Sequence, residues 1–471
     1  MTKEETNIPT SRLKKIFSHF TLAPLLGIFV FAWLVSGVVM LFVSFPKLRV
    51  AEKAMFSKPI LASELKLIQP EFETRKSLTI TKQLGSIYTD KSLAQIDSQD
   101  IDKRLKIFFA GYDVSFLGSV INDQWTVHGR FDKHRPLLAW KIHDEHQRII
   151  YISSTNGQIV QDTTRHERIW NYFGAILHWI YLTPVRENRG TWVYVVNAFT
   201  LAALWMTGLG FVRGWKILRI RKRYRNKKIS PFWNSLKYHH VLGVAFGFFL
   251  LTWLFSGFLS MSPFAFMDSP QISDQEKIAL AVDKWTPEKN LRLQRLLESH
   301  EEEINDTKPW KVVYRLSLGK PLIELFSVHG RKTIAEEDFS ASKSIEIIRG
   351  LHPGVESDVE TIPEHDLNGS NHEFPNSGFR IQIKDSVETW YEVDGKTGLI
   401  VRKSHLYSRI DSRLFKALHT FDFGQHQKWD WLRKLAIILV SLFSAGLVGV
   451  GFYSYGKRII NKYGNGAKND C

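Results

Sequence analysis

Four histidines stand at places related by an internal repeat, and their residue type suits the axial ligation of haem iron. A shift of 220 residues superposes His19 on His239, and a shift of 241 residues superposes His178 on His419. Two imidazoles on facing helices can hold one haem iron from both sides, and helix bundles commonly seat a cofactor in this way. The sequence therefore predicts two haems, one held by His19 with His239 and one by His178 with His419.

A single histidine at the end of an apolar helix would indicate little, because polar residues are also typical of the membrane interface. Four histidines in register across a repeat favour ligation. His240 is an alternative to His239, since it lies about 100° around the same helix, and only the repeat favours His239. A pair within one half, His19 with His178, is disfavoured because these residues belong to opposite faces of the membrane.

Four segments without Asp, Glu, Lys or Arg must position these histidines. They cover residues 20–45, 192–212, 241–261 and 435–452. Each is long enough to cross a hydrocarbon core of about 30 Å, and buried helices of soluble proteins seldom run this long without charge. The sequence predicts four transmembrane helices, the first an uncleaved anchor because no A-x-A-like cleavage site follows it.

The repeat gives two halves the same order of elements. The first block pairs Gly27 with Gly247, Trp33 with Trp253, and Ser36-Gly37 with Ser256-Gly257. The second block aligns residues 151–178 with 392–419 and ends at the second histidine pair. Glycine lets a flat macrocycle approach a helix backbone, and the candidates for this role are Gly27, Gly37, Gly243, Gly247 and Gly257.

The positive charge of the chain is confined to three short segments. Residues 1–19, 213–237 and 454–471 contribute +2, +10 and +3 to a formal net charge of +16. Because short basic loops stay in the cytoplasm, both termini are predicted inside, with residues 46–190 and 263–430 outside. We interpret the basic loop as a contact for anionic membrane lipids rather than for nucleic acid.

The two long segments between the spans mix strand and helix patterns. Alternating runs such as KVVYRLSLGKPLIELFSV predict strands, and EKNLRLQRLLESHEEEI predicts a helix. The turns TNGQIV and KTGLIV predict two hairpins. These patterns indicate two small α+β domains outside the membrane.

Several common sites are excluded. The only cysteine is Cys471, so the chain cannot form an internal disulfide, a cysteine-ligated zinc site or a C-x-x-C-H haem attachment. It contains no G-x-G-x-x-G after a strand, no G-x-x-x-x-G-K-[ST] and no H-E-x-x-H. If the protein carries electrons, its donor must be a quinol or a cytoplasmic flavoprotein.

Further histidines occur in the segments outside the spans. They are His128, His134, His143 and His146 in one stretch, and His365 and His372 in another. We interpret them as solvated strand and loop residues. The alternative is that His143 and His146, with Asp144 and Glu145, bind a metal or a ferric ligand.

The motifs resemble those of the PepSY-associated transmembrane proteins of bacteria over nearly the whole chain. The resemblance rests on H-H-V-L-G before a helix ending in W-L-F-S-G, on D-G-K-T-G-L-I-V, and on A-L-H-T before the last helix. The family includes iron-regulated inner-membrane proteins and ferric-siderophore reductases. In the first half, S-H-F-T-L-A-P and L-H-W-I depart from the family pattern.

The resemblance implies an α-helical integral membrane protein: a four-helix transmembrane bundle from an internal duplication, with two periplasmic α+β PepSY-like domains. It also implies two b-type haems, with the family's histidines falling on His239 and His419 and, through the repeat, on His19 and His178.

The chain is expected to divide into eight segments. They are 1–45, the N-terminus and first span; 46–168, the first PepSY-like domain; 169–213, a His-bearing segment and second span; 214–238, the basic loop; 239–262, the third span; 263–412, the second PepSY-like domain; 413–456, a His-bearing segment and fourth span; and 457–471, the tail.

These expectations lead to a membrane-bound haem oxidoreductase of the bacterial inner membrane that reduces a periplasmic acceptor, with siderophore-bound ferric iron as the first candidate. A haem-free PepSY anchor that binds peptides or regulates a periplasmic protease is the alternative. A permease is disfavoured because transporters show broken helices or polar groups at mid-membrane.

Overall fold

The computed structural model describes residues 19–72, 77–90, 97–220, 229–279, 284–336, 341–362, 378–423 and 429–464. The N-terminal 18 residues, positions 221–228 of the basic loop, the stretch with His365 and His372, and the C-terminal Cys471 lie outside the described residues. The expectations attached to them are therefore not addressed by the fold.

The helices include four that are long and apolar. In chain order they are α1 His19–Met40, α2 Val50–Met55, α3 Ala62–Leu65, α4 Ser98–Phe108, α5 Arg165–Phe173, α6 Ala175–His178, α7 Thr183–Arg186, α8 Arg189–Arg219, α9 Asn234–Leu259, α10 Asp274–Ala279, α11 Pro287–Ser299, α12 Glu301–Thr307, α13 Ala341–Gly350, α14 Leu406–His419 and α15 Asp430–Gly464. Helices α1, α8, α9 and α15 are long and apolar enough to span a membrane. The prediction of four such helices is confirmed.

The four long helices form a ring of neighbours. Helix α1 packs against α8 and α15, and α9 packs against the same two helices, so α1 and α9 lie diagonally across the bundle. The buried side chains between them are apolar: Leu26, Val30, Leu34, Ala203, Met206, Leu250, Leu254 and Leu447. The diagonal arrangement places residues of the first and third spans opposite each other at the centre.

Thirteen strands in the described residues form three antiparallel sheets. They are β1 Leu78–Gln83, β2 Ser86–Thr89, β3 Val114–Val120, β4 Leu137–Ile142, β5 Ile149–Ser153, β6 Ile159–Thr163, β7 Lys311–Ser317, β8 Lys320–Ser327, β9 Gly330–Ala335, β10 Ser357–Ile362, β11 Gly378–Ile383, β12 Trp390–Asp394 and β13 Ile400–Ser404. The sheet orders are β3-β4-β5-β6, β10-β11-β12-β13 and β2-β1-β7-β8-β9.

Two of the sheets repeat the same meander, one in each half of the chain. The predicted hairpins are confirmed, because β5 pairs with β6 and β12 pairs with β13. Gly157 and Gly398 occupy the turns with φ of 69° and 66°, the left-handed region that glycine adopts without strain. The helical prediction for EKNLRLQRLLESHEEEI is also confirmed, by α11 and α12.

The third sheet joins both halves. Strand β1 pairs antiparallel with β7, bringing Leu78 opposite Tyr314 and Ile80 opposite Val312. The core beneath this sheet also draws on both halves. Its largest fully buried members include Trp285 and Tyr314.

The α-helical fold class expected from the sequence is wrong. The protein is mixed α/β, since three antiparallel sheets accompany the four apolar helices. The alternating runs predict the strands, but the charge-free spans dominate the sequence signal, and the long-range pairing of strands into sheets has no local signal. One of the three sheets takes strands from both halves of the chain.

The chain divides into two compact units. The helical unit comprises residues up to Phe45, His166–Ala265 and those from Ile410 onward. The sheet unit comprises Pro46–Arg165 and Phe266–Arg409. All four repeat-related histidines belong to the helical unit.

A buried polar network in the sheet unit is expected to make stability depend on acid. Burial would raise the pKa of Glu276, but hydrogen bonds from Lys403 and Tyr391 outweigh burial and lower the pKa to about 2. The stabilisation is complete above the ordinary pKa of 4.5 and is lost as pH falls from there toward about 2. Glu276→Gln is expected to flatten the fall of the unfolding temperature over this window, as measured by circular dichroism. Glu302→Gln, at an exposed position, should leave the acid dependence as in the wild type, and an unchanged slope in Glu276→Gln would contradict the prediction.

Candidate functional site

His19 and His239 meet across the diagonal of the helical unit. His19 is the first residue of α1, and His239 lies in the second turn of α9. Their ring centroids are 6.2 Å apart, with the ring planes inclined at 42°. The structure therefore brings together the first pair that the repeat predicts.

His178 and His419 form an equivalent pair near the other end of α1 and α9. His178 ends α6 and His419 ends α14, and their ring centroids are 6.1 Å apart with an interplanar angle of 77°. His178 contacts Ser36, seventeen residues beyond His19 on α1, which corresponds to about 25 Å along the helix axis. The two pairs are thus well separated along the bundle.

Backbone carbonyls fix the rings of the first pair. His19 Nδ1 lies 3.0 Å from the carbonyl oxygen of Met206, and His239 Nδ1 lies 3.2 Å from that of Leu447. A carbonyl oxygen only accepts hydrogen bonds, so Nδ1 carries the proton and donates it. In each neutral imidazole the Nε2 lone pair is then left for a ligand.

Serines and carbonyls of α1 and α9 fix the rings of the second pair. His178 Nδ1 lies 3.1 Å from Ser36 Oγ and 3.2 Å from the carbonyl oxygen of Trp33. His419 Nδ1 lies 3.1 Å from Ser256 Oγ, which itself donates to the Thr252 carbonyl at 2.7 Å. Both serines serve as acceptors, so these imidazoles also carry the proton on Nδ1 and present Nε2.

A glycine lies against each of the four imidazoles. A Cβ atom at Gly210 would sit 2.8 Å from His19 Cε1, and one at Gly451 would sit 3.0 Å from His239 Cε1. The corresponding distances are 3.4 Å from Gly37 to His178 and 3.6 Å from Gly257 to His419. The first two glycines leave no room for a side chain beside the ring.

Gly210 and Gly451 were not among the candidates drawn from the sequence. The shift of 241 residues that relates His178 to His419 also relates Gly210 to Gly451 and Met206 to Leu447. Extending the second repeated block through α8 and α15 would have found both glycines and both carbonyl positions. The two halves therefore orient their histidines by the same contacts.

The other candidate glycines serve helix packing. A Cβ at Gly27 would lie 3.0 Å from the ring of Phe452, and one at Gly247 would lie 3.1 Å from Phe211. Gly243 faces Leu447 at 3.6 Å. Of the five candidates, Gly37 and Gly257 are the two that face an imidazole.

His240 occupies a different environment from His239. Its Nε2 donates to the carbonyl oxygen of Gly214 on α8 at 2.9 Å, and its ring meets the edge of Phe232. His240 is buried and its Nδ1 has no hydrogen-bond partner. The residue opposite His19 is therefore His239.

The chain matches no family model, no curated protein and no solved structure. The resemblance drawn from its motifs stays an expectation. The arguments for function rest on the geometry of the chain itself.

The histidines of the sheet unit show no metal-binding arrangement in the described part of the chain. His143 Nε2 is hydrogen-bonded to Ser115 Oγ at 2.8 Å, and Asp144 is bound by Arg148 at 2.9 Å. His134 Nδ1 contacts Ser153 Oγ at 3.0 Å. No group of three or more potential metal ligands occurs among the described residues.

Two facing imidazoles suit haem better than a bare metal ion. Structural zinc sites take four protein ligands, whereas haem brings its own equatorial nitrogens and needs only axial ligands from the protein. Two metal–nitrogen bonds of about 2 Å, with roughly 1 Å more from each nitrogen to its ring centre, would separate two axial imidazole centroids by about 6 Å. The observed separations of 6.2 Å and 6.1 Å agree with this value.

Proposed function

We propose that the chain is a transmembrane electron carrier that holds two b-type haems, one between His19 and His239 and one between His178 and His419. The observation that carries the proposal is that the ring centroids of the two repeat-related pairs lie 6.2 Å and 6.1 Å apart, each ring with its Nδ1 hydrogen-bonded to the protein, which leaves Nε2 for a ligand. Interfacial polar residues with no common ligand would have no reason to converge in this way.

The surrounding residues are suited to this role. Haem iron held by two imidazoles would exchange single electrons between its ferric and ferrous states. The Met206, Leu447, Trp33 and Ser256 contacts hold the ligand rings in one orientation and one tautomer, and such supporting contacts commonly tune a metal site. The apolar core between the pairs excludes water and ions from the path.

The proposed acceptor lies outside the cell membrane and is most simply ferric iron held by a siderophore. The donor is a quinol or a cytoplasmic flavoprotein, because the sequence contains no recognisable motif for a nicotinamide or flavin cofactor. The motif resemblance favours a bacterial inner membrane; the four apolar helices are long enough to span a membrane, and the basic loop favours both termini in the cytoplasm. The support for iron and siderophore is the motif resemblance alone.

A count of haem per chain tests the proposal. The full-length protein purified in detergent is expected to give a pyridine haemochrome value of two b-type haems, with a Soret band that shifts on dithionite reduction. A colourless protein that also takes up no added haemin would contradict the electron-carrier proposal. It would favour the haem-free anchor, whose binding to peptides could then be measured directly.

Ser256, whose hydroxyl contacts His419, is expected to slow the loss of haem from the protein. Ser256→Ala removes the acceptor nearest His419 Nδ1 at 3.1 Å, although a nearby backbone carbonyl still orients the ring. Loss of one such supporting contact commonly costs at least about tenfold in affinity. We expect Ser256→Ala to retain two haems but to lose one roughly tenfold faster to apomyoglobin. Ser260→Ala, whose hydroxyl is exposed and bonds Gly257, should behave like the wild type; equal loss rates in the two variants would contradict the prediction.

A further inference from the structure

Arg186 is a buried cation with no anionic partner in the described part of the chain. It ends α7, three residues before α8 begins, and is 8% exposed. Its Nε is buried and has no hydrogen-bond acceptor. No described carboxylate forms an ion pair with it, so its charge is unusual for so buried a position.

Two aromatic faces hold the guanidinium of Arg186. Its Cζ lies 5.1 Å from the ring centroid of Tyr181 and 4.6 Å from that of Trp192. Aromatic faces attract a cation, but they are not conventional hydrogen-bond acceptors for the five N–H donors of the planar guanidinium. Because a buried charge is unfavourable without an opposite charge, this arrangement points to an anion that is bound there.

The site lies on the segment that carries His178. Trp192 Nε1 donates to the carbonyl oxygen of Trp179, the residue after His178, at 2.7 Å. Phe45 packs edge-on against Tyr181 at 5.4 Å. Clusters of Trp and Tyr at the end of an apolar helix are typical of the level of lipid head groups.

We propose that Arg186, Tyr181 and Trp192 form a binding site for an oxyanion, a carboxylate or a phosphate. A guanidinium held between two rings presents paired N–H donors in one plane, and these can bind two oxygens of a carboxylate or of a phosphate. One source is a propionate of the haem at His178 and His419, and this source rests on the proposed function. The other source is the phosphate of an anionic lipid, which requires only that the chain lie in a membrane.

The test compares full-length Arg186→Gln with Arg189→Gln, which removes the same charge three residues later at an exposed position. Each protein is reconstituted in nanodiscs of phosphatidylcholine with phosphatidylglycerol. Retained phosphatidylglycerol is counted by native mass spectrometry, and the midpoint potentials of the haems are measured by redox titration. If Arg186→Gln does not fold, Arg186→Met, which keeps an unbranched stem and also removes the charge, takes its place.

The two sources predict different results. A propionate predicts that Arg186→Gln lowers the midpoint potential of one haem, because loss of a positive charge favours the ferric state, while lipid retention stays unchanged. A phosphate predicts a severalfold loss of retained phosphatidylglycerol with unchanged potentials. A variant that matches Arg189→Gln in both measurements would overturn the site. A wild-type protein without haem would contradict the proposed function, and the lipid measurement would still decide the phosphate source.

Discussion

His239→Ala is expected to leave one haem per chain, against the two proposed for the wild type. The substitution removes one of two facing imidazoles, and the ring of His19, 6.2 Å away, then has no partner. His178 and His419 keep their own contacts with Ser36 and Ser256 and should retain their haem. The measurement is the pyridine haemochrome count per chain together with the reduced-minus-oxidised spectrum.

Combinations of substitutions make this prediction sharper. The double variant His19→Ala with His239→Ala should still hold one haem, because both residues serve the same site. His239→Ala with His419→Ala should hold none. His240→Ala is the matched control, since its imidazole binds the Gly214 carbonyl, and it should keep both haems. A loss of haem in His240→Ala but not in His239→Ala would refute the assignment of the pair.

Gly451→Ala is expected to weaken the same haem site through steric crowding. The new Cβ would lie 3.0 Å from His239 Cε1, closer than side chains normally approach. Such crowding typically costs about 1–3 kcal/mol, which corresponds to roughly fivefold to 150-fold in haem affinity. Gly210→Ala should act more strongly on His19, because its Cβ would lie at 2.8 Å. Transfer of haem to apomyoglobin measures the effect.

Gly449→Ala is the control on the same helix. No atom lies within 4 Å of a Cβ at Gly449, and alanine favours a helix over glycine by about 0.5–1 kcal/mol. This variant should therefore keep both haems and be slightly more stable. If Gly449→Ala and Gly451→Ala lose haem equally, the close approach to His239 is not the cause.

The spanning helices and the histidine pairs could be predicted because their signals are local or repeated. A segment that crosses lipid must be long, helical and free of charge, and residues 20–45 satisfy this on sight. The repeat supplied what a single half could not, because it related His19 to His239 although 220 residues separate them. The second repeated block, with its shift of 241 residues, relates Gly210 to Gly451 in the same way.

The partners of the strands and the orientation of the rings could not be predicted. The alternation in LTITKQ indicates a strand with one buried face, but nothing in it specifies that Ile80 pairs with Val312. The repeat favoured His239 over His240, and the structure places His239 opposite His19. The contact that holds His240 elsewhere, with the Gly214 carbonyl, is to a backbone group that has no sequence signature.

The sheet that joins β1 to β7 sets the order in which the protein can be assembled. A ribosome delivers Leu78 and Ile80 long before Tyr314 and Val312, and the apolar helices α8 and α9 are made in between. Until β7 is synthesised, β1 presents an open edge of the kind that promotes aggregation. Completion of the sheet thus requires synthesis to pass Ala335 at the end of β9, and a chain truncated before residue 311 is expected to be exposed to proteolysis.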